Sequence, residues 1–137
     1  MAIAEATISQ QTQESPDPAS LPTLDQKIFA KVRELMVDTD PTLLGKSIDQ
    51  FLDYSSRMFE KLRLAVQNLD ALAVSQIAHT LKSSTASYGA SRLSGLCREL
   101  EALARADTRD SFADYLLKIE AEYENVRAAL LVERDRE

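Results

Sequence analysis

The strongest constraint on this chain is a long apolar stripe with helical spacing. Leu44, Ile48, Phe51, Leu52, Ser55, Phe59, Leu62 and Val66 recur mostly three or four residues apart. On a helix that spacing gathers side chains onto one face, whereas the two-residue period of a strand scatters them over both faces. The stripe predicts a helix from the Asp40-Pro41 cap to about Gln67. Asp40 can accept from the first free amides, and Pro41 lacks the donor that the first helical position cannot use.

Similar stripes flank it. Ile28, Val32, Leu35 and Met36 give an apolar side to a shorter helix ending near Val37, with Thr23 and Gln26 reading as its capping box. Asn68-Leu69-Asp70 is a tight connection with a cap. A helix then runs from about Ala71 to Tyr88, and Gly89 suits a left-handed terminator. Ser91 reads as the cap of the next helix, which carries Leu93, Leu96, Cys97, Leu100 and Leu103 to about Arg105. After the break at Asp107-Thr108-Arg109-Asp110, Phe112, Leu116, Ile119, Tyr123, Val126 and Leu130 mark the last helix. Three glycines and four prolines are few for a protein made of strands and turns. The expected fold is all-α: an antiparallel up-down-up-down four-helix bundle with an additional short N-terminal helix. Residues 1–22 read as a flexible tail, 23–132 as the bundle and 133–137 as a frayed end.

Composition removes several function classes. Net charge is -6, with basic residues scattered among acidic ones, so no nucleic-acid footprint is expected. No apolar run is long enough for a bilayer helix, and the N-terminus lacks the basic flank and apolar core of a signal peptide. A cytoplasmic setting is expected. One histidine and one cysteine exclude a His/Cys metal cluster of the usual spacing. Cys97 shares a face with leucines and reads as core.

His79 is the single histidine. At about 100° per residue, Ile77, Leu81, Ser84 and Tyr88 gather opposite it, so the ring is expected to face water or a partner. Ser75, Gln76, Lys82, Ser83 and Ala86 surround it on the helix surface. An inert surface histidine fits this pattern as well. So does a histidine that something large must reach. Lys82 alone reads as an ordinary solvated lysine, and Gln76, Ser83 and Ser87 as polar outer-face residues.

The run His79-Thr80-Leu81-Lys82-Ser83-Ser84, followed by Gly89-Ala90, resembles the signature of histidine-containing phosphotransfer domains. Leu93, Leu96, Cys97 and Leu100-Glu101 fit the helix that follows. The resemblance covers about residues 25–130. It departs at Ser83, where the family commonly has glycine. It implies a monomeric bundle that relays phosphoryl groups between receiver-domain aspartates and His79 in a multistep phosphorelay, without ATP-dependent kinase activity of its own. His79 is implied as the phosphorylated residue and Lys82 as the lysine beside it. Gln76 matches a position that often lines the histidine.

The chemistry this implies is attack by Nε2, with the other ring nitrogen as a protonated donor that fixes the ring. No acidic cluster around His79 is legible, so no intrinsic cofactor or metal is expected. The partner, a response regulator or the receiver domain of a hybrid histidine kinase, is expected to bring the aspartate and Mg²⁺. Leu72, Ser75, Gln76, Ser83, Ala86 and Ser87 form the expected docking face. A helical adaptor that only sequesters a receiver is the alternative. A histidine kinase dimerisation domain fits less well, because Thr80 follows the histidine instead of an acid and no ATP-binding domain is present.

Overall fold

The computed structural model describes residues 16–136, and they form five α-helices joined by short connections. They are α1 (Gln26–Val37), α2 (Leu43–Gln67), α3 (Ala71–Ser87), α4 (Ser91–Arg105) and α5 (Phe112–Asp135). Short 3-10 turns lie at Pro18–Ser20 and Arg109–Ser111. Among the described residues there is no strand, and no helix is long and apolar enough to cross a membrane.

Cross-helix contacts give the direction of each pair. Tyr88 at the end of α3 stacks on Phe51 and bonds Ser47 near the start of α2. His79 meets Glu101, while the Lys82 carbonyl accepts from Ser94 Oγ at 2.8 Å. Tyr115 reaches Glu99, and Arg92 lies by Glu122. Arg134 bonds Asp49, and Arg63 bonds Glu120. In the last three pairs one partner rises in number as the other falls, and α2 and α3 do the same, since the Asp70 amide at the start of α3 bonds the Ala65 carbonyl near the end of α2. The four long helices are therefore antiparallel neighbours, and α5 returns beside α2.

The core fills the space between them. Leu44, Ile48, Leu62, Leu81, Leu93, Leu100, Ile119 and Leu130 are fully buried. Burial of such side chains is the main stabilising term, about 1.5–3 kcal/mol each. Phe29 brings α1 onto this core. The start of α1 is also pinned by the α3–α4 turn. Gly89 adopts φ +83°, and its carbonyl accepts from the Asp25 amide at 2.6 Å. A side chain at Gly89 would place Cβ 2.9 Å from the Asp25 carbonyl. Gly89 thus ends α3 as its position in the sequence suggests, and it allows a close approach that no other residue permits.

Several local expectations are corrected. The cap of α1 is Asp25, whose Oδ1 accepts from the Lys27 and Ile28 amides, so Thr23 and Gln26 form no capping box. Asp40 bonds the Thr42 amide and hydroxyl within a preceding turn, and α2 begins at Leu43 instead of Pro41. Ala90 is the cap residue of α4. Ser91 already lies inside the helix and donates to the Gly89 carbonyl.

The ends are also more structured than a tail reading implies. Pro18 is buried, and with Leu21 it packs over Gly95, where an added Cβ would lie 3.2 Å from Pro18. Helix α5 continues through Glu133, which is 6% exposed and pairs with Arg33. The rest of the expected tail, residues 1–15, and Glu137 of the expected frayed end lie outside the described residues.

Candidate functional site

Helix α3 is held firmly at both ends. Leu69, at φ 50°, turns the chain after α2, and the Asp70 carboxylate accepts from the Ala73 amide at 3.1 Å. At the other end the Ala90 amide bonds the Thr85 carbonyl and the Gly89 amide bonds that of Ala86. This pair of bonds satisfies carbonyls that a helix end leaves free. His79 sits at the middle of the element so fixed.

Its phase differs from the expected one. The buried residues of α3 are Val74, Ala78, Leu81 and Thr85, while Ile77, Ser84 and Tyr88 are only half-buried. The core face is thus turned toward Ala78, the residue next to His79. The cause is close packing of α4 along α3, through Ser94 and small side chains such as Ala78. His79 therefore stands at the rim of the α3–α4 groove instead of diametrically outside it. The side chain is still 57% exposed.

That rim position brings it to Glu101. Nδ1 lies 2.9 Å from Glu101 Oε2, and Lys82 Nζ lies 2.8 Å from Oε1. Arg105, one turn further along α4, reaches Oε2 at 2.7 Å. The glutamate side chain itself is 4% exposed. Burial alone pushes its carboxyl upward. Hydrogen bonds from Lys82 and His79, with the charges of Lys82 and Arg105, more than reverse this and hold it below the ordinary value. Glu101 is thus a carboxylate near neutral pH and can only accept. The proton of a neutral His79 belongs on Nδ1, which leaves the Nε2 lone pair free.

His79 and Lys82 are accordingly brought together, as the sequence suggests, but through a third group. Leu72 is 69% exposed on the same side of α3. Gln76, Ser83, Ala86 and Ser87 are exposed and Ser75 is half-buried. Among the described residues no hydrogen bond joins the Gln76 side chain to His79. Sequence reading looked for an acidic cluster around His79 and missed the single acid that stands there, Glu101, supplied by the neighbouring helix. A signal for it exists. Glu101 follows Cys97 by one turn on the core face of α4, and an acid at such a position needs partners. Among the described residues no group of three or more His, Cys, Asp or Glu side chains could hold a metal. Cys97 is fully buried, and desolvation pushes its thiol up to about 12, so it is not a reactive group.

Comparison with known proteins gives a consistent picture. The sequence model of the Hpt domain family matches residues 46–129. Histidine-containing phosphotransfer protein 5 of Arabidopsis thaliana is 23% identical over 105 residues, which cover 74% of this chain and 67% of that protein. The crystal structure of histidine-containing phosphotransfer protein B (HptB) from Pseudomonas aeruginosa PAO1 superposes with a TM-score of 0.77 at 32% identity, covering 86% of this chain and 99% of that one. An exposed histidine on a fixed helix, a lysine one turn away and matches in sequence and structure lead to one conclusion: this chain belongs to the Hpt domain family and functions in phosphorelay signalling.

Proposed function

We propose that His79 is the residue that carries the phosphoryl group, taking it from a receiver-domain aspartyl phosphate and passing it to another receiver aspartate. The observation that carries this reading is the Nδ1–Glu101 contact at 2.9 Å beneath a ring that is 57% exposed. In the neutral ring it places the proton on Nδ1 and leaves the Nε2 lone pair free and reachable.

The step balances as a displacement. The Nε2 lone pair forms the N–P bond, the acyl phosphate P–O bond breaks, and the partner's aspartate leaves as a carboxylate. Nδ1 keeps its proton, so the imidazole gains positive charge as the bond forms. Glu101 lies against that nitrogen and stabilises the charge where it develops. Lys82 is one turn from His79, and its ammonium can offset the charge of the arriving phosphoryl oxygens. Glu101 and Arg105 keep a local balance when Lys82 turns outward.

Family members work with receiver domains of response regulators in phosphorelays. For this chain we take the partner to be such a domain, free or within a hybrid kinase, and to bring its own Mg²⁺. It docks across Leu72, Ser75, Gln76, Ser83, Ala86 and Ser87. A monomer in the cytoplasm suits this role.

Phosphorylated receiver domains incubated with the chain test the reading. Acid-labile phosphate should appear on the chain and be absent from His79→Gln (H79Q), with helicity unchanged. Phosphate on folded H79Q at the original level overturns the assignment. Tight receiver binding with no phosphate on either form leaves an adaptor.

A further inference from the structure

Helix α4 grips the histidine helix at two points of one stripe. Ser94 and Glu101 stand within about 20° of each other around α4 and about 10 Å apart along its axis. Glu101 holds His79 Nδ1 and the Lys82 ammonium. Ser94 holds the same lysine by its backbone, because its Oγ donates to the Lys82 carbonyl at 2.8 Å.

The Ser94 bond stands apart from the other serine and threonine bonds of these two helices. Among the described residues the others are local. Thr80 donates to the Gln76 carbonyl, Ser84 and Thr85 to that of Leu81, Ser87 to that of Ser84, and Ser91 to that of Gly89. Ser94 alone reaches across. Its Oγ is one atom beyond Cβ, so a bond of this length to a main-chain oxygen requires the two backbones to lie close. The face of α3 permits that approach, since Ala78 and Thr85 are small and fully buried.

The spacing at Ser94 controls the spacing at Glu101. The turn at Gly89-Ala90 ties α3 to α4 at one end. Measured from Ala90, the cap residue of α4, Ser94 lies about 6 Å along the axis and Glu101 about 16 Å. If α4 pivots at the turn as a rigid rod, a displacement of about 1 Å at Ser94 becomes more than about 2 Å at Glu101. The 2.9 Å contact between Glu101 and the imidazole does not survive such a shift.

We propose that Ser94 is a positioning residue for phosphotransfer, its hydroxyl on the Lys82 carbonyl setting the helix spacing at which Glu101 orients His79. The proposal rests on the reading of His79 as the phosphoryl carrier and adds a residue that never touches the reacting atoms.

The test is imidazole ¹⁵N NMR of the full chain, where His79 is the single histidine, paired with transfer from a phosphorylated receiver domain. The original chain should show the neutral ring with its proton on Nδ1. Ser94→Val (S94V) should shift the ring toward the other tautomer and slow transfer by about tenfold, the upper end for one lost hydrogen bond. Ser94→Thr (S94T), of the same size but with the hydroxyl, should keep the tautomer and stay within about threefold of the original rate. Because Ser94 acts through Glu101, S94V added to E101Q should slow transfer by less than about twofold more. If S94V does not fold, Ser94→Ala (S94A) carries the test, with the same tautomer shift and a loss of about threefold. A folded S94V or S94A with the original tautomer and rate overturns the proposal. So does an S94T defect equal to that of S94V, or an S94V defect that multiplies with E101Q. The tautomer is read without phosphate, so a chain that accepts none overturns the carrier reading while the NMR still decides whether Ser94 positions the ring.

Discussion

Glu101 and Glu122 are a matched pair that met different fates. Each is a glutamate on a bundle helix, and each side chain is nearly withdrawn from water, at 4% and 5% exposure. Glu101 collects His79, Lys82 and Arg105 over its two oxygens. Glu122 has Asn125 and a distant Arg92 on one oxygen and no protein donor among the described residues on the other. Burial alone therefore does not define what a carboxylate does here. The donors define it, and for Glu101 they come from two helices, so the site exists only when α3 and α4 pack together. One of those donors is an exposed ring with a free nitrogen. Under the proposed transfer, that turns a structural ion pair into a device that orients the nucleophile.

The largest effect that tests this contrast is expected from Glu101→Gln (E101Q). The volume is kept, but the charge facing the imidazole is lost, and the amide can offer Nδ1 a donor instead of an acceptor. Transfer should slow by about ten- to hundredfold, the worth of about 1.5–3 kcal/mol for a bond to a charged group. H79Q is the reference for complete loss. The fold should lose less than the about 3–5 kcal/mol of a broken buried pair, because Lys82 and Arg105 are left at a wet rim.

Acid melts give a second readout of the same variant. The folded state depresses the Glu101 carboxyl below its ordinary value of 4.5. Its stabilising contribution is then complete above that value and is lost as the pH falls through the lower, folded value. The Tm advantage of the original chain over E101Q should therefore shrink below pH 4.5 and not above it. Transfer by folded E101Q at the original rate would reduce Glu101 to a structural role.

The two sides of α4 also differ sterically. Pro18 covers the far side at Gly95, whereas Ser83 and Ala86 keep the His79 side free of bulk. Ser83→Arg (S83R) should weaken receiver binding about tenfold, a loss of about 1.4 kcal/mol, while the melt changes little. Calorimetric titration with a receiver domain measures it. Unchanged affinity would move the docking face elsewhere. Lys82→Ala (K82A) should act more mildly. Its side chain is 29% exposed, and Glu101 keeps two other donors. A severalfold drop in transfer rate or phosphohistidine lifetime is expected, corresponding to about 1 kcal/mol. No change in either would return Lys82 to ordinary surface.

Much of this was legible before any coordinates, for physical reasons. The stripes on α2 and α5 are long and regular, so their faces follow from periodicity alone. Gly89 announces itself because few residues tolerate its backbone. The His79-x-Leu81-Lys82 run, with Gly89-Ala90 beyond it, carried the family resemblance. The phase of α3 was less legible because its apolar residues are small and spread around the helix. Ala78 and Thr85 rank low on any hydrophobic count yet are fully buried, since α4 comes close only where side chains are small. The cap of α1 falls on Asp25, two residues past the expected Thr23, because its carboxylate is the one within reach of the Lys27 and Ile28 amides. Glu101 escaped as a site residue because its partners are 19 and 22 residues away in sequence. Only the antiparallel packing of α3 on α4 brings them into reach.

The smallest expected effect belongs to Arg105, and it sharpens what the contrast between the two glutamates means. Arg105 completes the set of donors on Glu101, but its side chain is 67% exposed and it shares Oε2 with His79. Its ion pair is an i,i+4 contact along one helix, a geometry worth about 0.3–0.5 kcal/mol at a surface. Arg105→Ala (R105A) should therefore leave transfer within about threefold of the original rate and the melt nearly unmoved. If donor number alone kept Glu101 functional, R105A would behave like K82A. If position matters, the donors from α3 outweigh the one from α4, because they tie the carboxylate to the reacting ring and to the charge beside it. Rates for K82A and R105A with the same phosphorylated receiver separate the two views. An R105A defect as deep as that of E101Q, in a folded protein, would mean that the whole cationic cage, and not the link to His79, sets the behaviour of the site.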